Sequence, residues 1–184
     1  MDTSMGLTPL DGFMMGTRSG GLDPTVLTFM GKKLSEKWIA EGKEPFAELD
    51  TILNKKSGVL GISGISNDNR TVTTAAVEGN ERAKLAIDMQ RYQIAKYVGS
   101  YIAAMNGVDV IAFTGGIGEN DCTLRQTVIE HFGFMGVKMD PEKNKIRGEE
   151  VKISTDDSTV NVYIIPTNEE LAIARDTKKI VEAL

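Results

Sequence analysis

Cysteine and histidine are almost missing from this 184-residue chain, which has only Cys122 and His131. A single cysteine excludes an internal disulfide framework and any metal site built from several thiolates, and it favours a reducing, cytoplasmic setting. A single histidine excludes any scheme that needs two neighbouring imidazoles. No run of about 18 apolar residues occurs, so no membrane-spanning helix is expected. The first residues are neither basic nor continuously apolar, unlike a secretory leader. The net charge of −5, with charges scattered, leaves no basic stripe, so nucleic acid is not an expected partner. The 41% of hydrophobic residues can fill a core, in one domain or a domain with an appendage.

Glycine, by contrast, is plentiful and clustered. In Val108–Asn120 an apolar, β-branched run stops at three glycines, Gly115, Gly116 and Gly118, and polar residues follow. A strand that ends in a glycine turn at the mouth of a helix brings backbone N–H groups close to a phosphate. The third glycine of a dinucleotide fingerprint is absent here. A plain tight turn between strand and helix explains the pattern equally well.

Residues 6–23 are irregular, and Leu7, Leu10, Phe13, Met14 and Met15 lie among their glycines, which predicts an ordered loop rather than a linker. Asp23 and Pro24 open a helix to about Ala40, with Val26, Leu27, Met30, Leu34, Trp38 and Ile39 as its apolar face. A second helix follows Pro45, with Phe46, Leu49, Ile52 and Leu53 on one face, and Gly58 closes it. Residues 58–67 read as a glycine-rich turn and 68–78 as a short helix. Asn80 opens the longest helix, whose apolar stripe is Leu85, Met89, Tyr92, Ala95, Val98, Ile102 and Met105, expected to face the core. A strand over 108–114, a helix over 121–132, a polar surface turn over 141–148, short strands at 151–154 and 160–165 and a final helix after Glu170 complete the pattern. This order predicts an α/β fold with neighbouring parallel strands. Ligands in such sheets lie past the carboxyl ends of the strands, where both Gly115–Asn120 and Thr167–Glu170 fall. Residues 2–5 read as the tail of a strand, which suggests a chain excised from something longer.

Arg18 stands in a glycine-flanked loop, where a guanidinium fork suits a phosphoryl group in transfer or simply faces solvent. Glu169 and Glu170 follow a strand at a helix start; a carboxylate there could hold Mg²⁺ or only complement the helix dipole. Asp68 could accept from a ribose or base and Arg70 could stack on a purine, or Asp68 is an N-cap beside solvated charge. Cys122 reads as incidental and His131 as structural or exposed.

The ordered strings Asp2–Leu10, Met15–Gly20, Asn54–Gly58, Gly61–Gly64, Phe113–Asn120 and Ile165–Glu170 resemble the acetate kinase family of acyl kinases. The resemblance spans nearly the whole chain and matches roughly the C-terminal half of a family member. It implies the actin/sugar-kinase superfamily and an incomplete ribonuclease-H-like domain, a short, mainly parallel sheet flanked by helices. It implies Mg²⁺-dependent phosphoryl transfer between ATP and acetate, giving acetyl phosphate and ADP, in a homodimer. Arg18 matches the transition-state arginine and Glu169 the magnesium glutamate. Gly115, Gly116, Ile117, Gly118, Glu119 and Asn120 match the phosphate loop, and Asp68, Asn69 and Arg70 the adenosine contacts. The family's N-terminal domain has no counterpart here, and with it go a metal-side asparagine, a second arginine, an aspartate and a histidine. Residues 168–184 are expected to form a helix that packs on that domain, and residues 1–184 alone are expected to be inactive. A butyrate or propionate kinase, or a non-catalytic nucleotide-binding or dimerisation domain, would share these motifs. The long striped helix and the loop before Arg18 are candidate subunit contacts.

Overall fold

The computed structural model describes residues 2–183, which form two compact units, Met1–Asn106 and Gly107–Leu184.

The first unit is helical: α1 (Pro24–Ala40), α2 (Pro45–Lys55), α3 (Gly58–Ser63), α4 (Asn69–Val77) and α5 (Glu81–Ala104). Polar side chains start these helices as the sequence predicts. Asp23 accepts from the Thr25 amide at 2.9 Å and Asn80 from the Ala83 amide at 2.9 Å, each satisfying a first-turn donor. Residues 58–63 are a helix rather than the expected turn. The Val59 and Leu60 amides donate to the Met15 and Gly16 carbonyls, so the loop before α1 satisfies the donors of α3's first turn. Residues 2–5 form no strand; their amides turn back on Asp2 Oδ1 and Thr3 Oγ1 instead of pairing with a neighbour.

The core of this unit is Met14, Val59, Val72, Ala83, Ala86 and Ile87. It corrects the expected face of α5. Its buried residues are Ala83, Ala86, Ile87, Gln90, Arg91 and Ala95, whereas Leu85 and Tyr92 are more than half exposed. The small alanines let α3 and α4 pack closely on α5, so the buried stripe follows side-chain size rather than hydrophobicity alone. Phe46 on α2 and Ile39 on α1 also face outward, and Trp38 is the buried residue of α1.

The second unit holds β1 (Val110–Phe113), α6 (Gly115–Asn120), α7 (Cys122–Glu130), single 3₁₀ turns at Gly133–Met135 and Lys143–Lys145, β2 (Val151–Lys152), β3 (Asn161–Ile164) and α8 (Glu169–Glu182). The sheet order is β1-β3-β2. β1 and β3 are parallel, with Phe113 opposite Ile164, as expected. β2 runs antiparallel to β3, so the three-stranded sheet is mixed. Ile111, Phe113, Val162 and Ile164 alternate inward, and Leu124, Val128 and Ile129 of α7 are buried. The 141–148 segment is not wholly a surface turn. Asn144 is buried and accepts from Arg125 Nε at 2.8 Å. Arg125 is fully buried, and burial lowers its pKa. No residue of α8 is buried.

Candidate active site

The loop carrying Arg18 is ordered, as expected. The Ser57 amide donates to the Thr17 carbonyl at 3.0 Å, the Ser19 amide to the Leu53 carbonyl at 2.9 Å and Thr17 Oγ1 to the Asn54 carbonyl at 2.8 Å. The Met14 amide donates to Gln93 Oε1 on α5 at 2.7 Å. Gly58 adopts φ +63°, and a Cβ there would overlap the Met15 carbonyl oxygen, so no other residue lets the chain approach this closely. The Met15–Gly20 and Asn54–Gly58 strings, separate in sequence, thus interlock through backbone hydrogen bonds. Arg18 is half-buried on this frame, and Nη1 approaches Met15 Sδ at 3.9 Å. A guanidinium with so weak a polar partner on a fixed loop is available to an anion.

Asp68 is the N-cap of α4. Its Oδ1 accepts from the Arg70 amide at 2.8 Å and the Thr71 amide at 3.1 Å, and Arg70 Nη2 donates to Oδ2 at 3.3 Å. The Thr71 amide, then the Arg70 side chain, hold its carboxyl below the ordinary aspartate pKa. Asp68, Arg70, Thr71, Thr74, Ala75 and Glu78 line an open concavity of about 550 Å³. Asp68 and Arg70, two of the three residues matched to adenosine contacts, therefore edge a depression that Asn69 does not line, and the cap function holds as well. A lowered carboxylate stabilises the folded form above its unfolded pKa, and this contribution is lost as pH falls through the lowered value. Thermal melts of Asp68→Asn, which keeps an acceptor at the cap, are therefore expected to fall less steeply than wild type below about pH 4.

In the second unit the expected glycine turn is the short helix α6. Gly115 enters it at φ +72°, and the Gly116 and Ile117 amides are first-turn donors that helix geometry leaves without an intrahelical acceptor. A Cβ at Gly116 would meet nothing within 4 Å. The Gly115 amide donates to Glu119 Oε1 at 2.8 Å, and the same oxygen accepts from the Thr167 amide at 2.9 Å. These bonds, led by the Thr167 amide, lower the Glu119 pKa. Arg125 Nη1 donates to the Gly118 and Glu119 carbonyls at 2.8 and 2.9 Å, pinning the far end of α6. Asn120 is spent locally, its Nδ2 donating to the Gly116 carbonyl at 2.9 Å. The sequence reading missed Arg125; the polar 141–148 segment could have signalled a buried partner for it. Glu169 and Glu170 occupy the exposed first turn of α8, which Asn168 caps by accepting from the Leu171 amide at 3.0 Å.

The acetokinase family profile matches residues 1–175. The chain belongs to the acetokinase family. It is 51% identical over 183 residues to the acetate kinase of Halothermothrix orenii, covering 100% of this chain and 44% of that relative. The solved Porphyromonas gingivalis acetate kinase superposes with a TM-score of 0.87 at 50% identity, over 98% of this chain and 44% of the other. A Francisella tularensis propionate kinase superposes at 0.82 with 43% identity, over 95% and 42%. The chain thus spans less than half the length of the relatives it matches, and its α/β architecture is part of the actin/sugar-kinase fold.

Within this acetokinase segment, no group of three or more acidic, histidine or cysteine side chains is placed to enclose a metal among the described residues. The exposed carboxylate of Glu169 at the first turn of α8 is of the kind that suits Mg²⁺, which is held by one or two carboxylates with water and phosphate oxygens rather than by a protein cage.

Proposed function

We propose that this chain is the nucleotide-handling part of an acetate kinase that phosphorylates acetate with ATP. The observation that carries the reading is the α6 entrance, where the Gly116 and Ile117 amides lack an intrahelical acceptor and a Cβ at Gly116 would meet nothing within 4 Å. In the proposed reaction a carboxylate oxygen of acetate attacks the γ-phosphorus in line, the bond to the ADP oxygen breaks, and acetyl phosphate and ADP leave. Such transfer needs positioning and charge neutralisation more than covalent chemistry. Arg18 stabilises the planar phosphoryl group. The Gly116 and Ile117 amides bind phosphate oxygens with Gly118 beside them, and Asp68, Asn69 and Arg70 border the adenosine. Glu169 holds Mg²⁺, which when bound offsets phosphate charge. Propionate is the second acceptor to consider, because a propionate kinase is among the structural neighbours.

Acetyl phosphate formation by the complete enzyme tests the reading; no turnover with acetate, propionate or butyrate would overturn it. Gly116→Ala is a sharper check. It fits the fold, so melting is expected to stay unchanged, while its methyl occupies ligand space and weakens ADP binding about 10-fold, as loss of one good phosphate hydrogen bond would. Unchanged ADP affinity would remove the amides of α6 from the site.

Residues 1–184 alone are expected to turn over at no more than a trace of the complete enzyme's rate, because groups acting as a unit fail together. The exposed apolar residues of α8, including Ile173 and Ile180, support the reading that this helix packs on the rest of the enzyme. Leu85 and Tyr92 on α5 support self-association as a cytoplasmic homodimer, which sedimentation of the complete enzyme measures.

A further inference from the structure

Glu119 joins chain segments 48 residues apart in sequence. Its Oε1 accepts from the Gly115 amide at 2.8 Å, the Thr167 amide at 2.9 Å and Thr167 Oγ1 at 3.1 Å. These donors leave the carboxyl ends of adjacent parallel strands. Phe113 and Ile164 are register partners, and the Ile165 amide makes the next ladder bond, to the Phe113 carbonyl at 2.9 Å. Donors to β1 alternate along β3, Asn161 to Asp109 and Ile165 to Phe113, so the next ladder donors would be Gly115 and Thr167. The ladder stops because the chain past Phe113 turns away through Gly115 at positive φ, and both amides go to Glu119 instead. One carboxylate oxygen then does what the missing ladder bonds would have done, tying the two departing chains together.

The placement also argues against direct contact with the nucleotide. Oε1 is taken up by three protein donors, so any ligand would have to be met by Oε2. Facing phosphates directly, it would meet like charge, which is unfavourable. Glu119 sits at the last turn of α6, and Arg125 holds the carbonyls of Gly118 and Glu119 from below. The short helix is therefore fixed at both ends by side chains, leaving its Gly116 and Ile117 amides free of that work.

We infer that Glu119 is a positioning residue: it latches the amide-bearing first turn of α6 to the 167–170 turn, and contributes to nucleotide binding through that geometry rather than by touching the nucleotide. This rests on the acetate kinase reading for its consequence, though not for the latch itself.

Glutamine and alanine at 119 separate the possibilities. Glu119→Gln keeps an oxygen acceptor and removes the charge; Glu119→Ala removes both. In the complete enzyme, E119A is expected to speed amide exchange in peptides containing Gly115 and Thr167, and to weaken Mg²⁺-free ADP binding, each about 10-fold, as lost charge-assisted hydrogen bonds would. E119Q is expected to stay near wild type in both. Two results overturn the inference: E119Q keeping slow exchange yet losing ADP affinity as E119A does, or E119A leaving exchange at both segments unchanged. If E119A exchanges faster throughout the protein, E119Q decides alone by the same criteria. A wild-type enzyme that binds no ADP while showing the expected exchange pattern would sink the acetate kinase reading and leave the latch standing.

Discussion

Arg18→Ala in the complete enzyme is expected to lower kcat by about 1,000-fold or more, the usual loss when an arginine that stabilises a transferring phosphoryl group is removed. Melting temperature should stay at the wild-type value. The loop is held by backbone bonds from Met15, Gly16, Thr17 and Ser19, and none of them uses the guanidinium. Its side chain touches Met15 Sδ and forms no carboxylate pair among the described residues, so truncation leaves no buried charge behind. KM for ATP should change far less than kcat, because the interaction grows as the phosphoryl group becomes planar. Arg18→Lys should recover little, since an ammonium lacks the planar fork. An alanine variant within about 10-fold of wild type would remove Arg18 from the reaction.

Gly58→Ala is expected to fail by a different route, through the fold. Its φ of +63° costs an L-residue about 1–2 kcal/mol. The added methyl also overlaps the Met15 carbonyl oxygen and lies 2.7 Å from the Arg18 carbonyl oxygen, both backbone atoms that cannot rotate away. The total is about 3–5 kcal/mol, among the largest effects of a single substitution. For a chain of this size that lowers the melting temperature by about 10 °C. Because the displaced atoms carry Arg18, kcat should fall as well, which distinguishes this variant from Arg18→Ala. Gly42→Ala is the control. Its φ is +73° but its Cβ would meet nothing within 4 Å, so it isolates the backbone penalty from the clash. Equal losses at the two positions would refute the interlock.

Helix starts were the most legible part of the fold, because the signal is local: Asp23, Asp68 and Asn80 each accept from an amide two or three residues on, while the Asn168 cap starts the last helix slightly earlier than expected. The parallel pairing of β1 with β3 was legible from two apolar runs ending in polar turns. What the sequence hid depends on partners distant along the chain. The 58–63 segment looks like a turn by its glycines, yet it is helical because the Met15 and Gly16 carbonyls receive its first amides. On α5 the larger apolar residues suggested one buried face, and tight packing against α3 and α4 selected the alanine face instead. At the site, residue type alone left Arg18 open to a solvent-facing role and the glycines to a plain turn, and the ordered strings shared with the acetokinase family are what nominated them. The tie from Glu119 to Thr167 could not be picked out, since nothing near position 119 announces a donor at position 167.

The final helix has a consequence of its own. At 14 residues it is at the length where a peptide helix in water is only marginally populated, and its Asn168 cap and its Lys178–Glu182 pair add little. The energy that keeps such a segment wound must therefore come from whatever surface lies along it. Its helix–coil balance is thus expected to act as a gauge: if a neighbour covers the exposed Leu171 and Ile180, the ellipticity of this segment should rise.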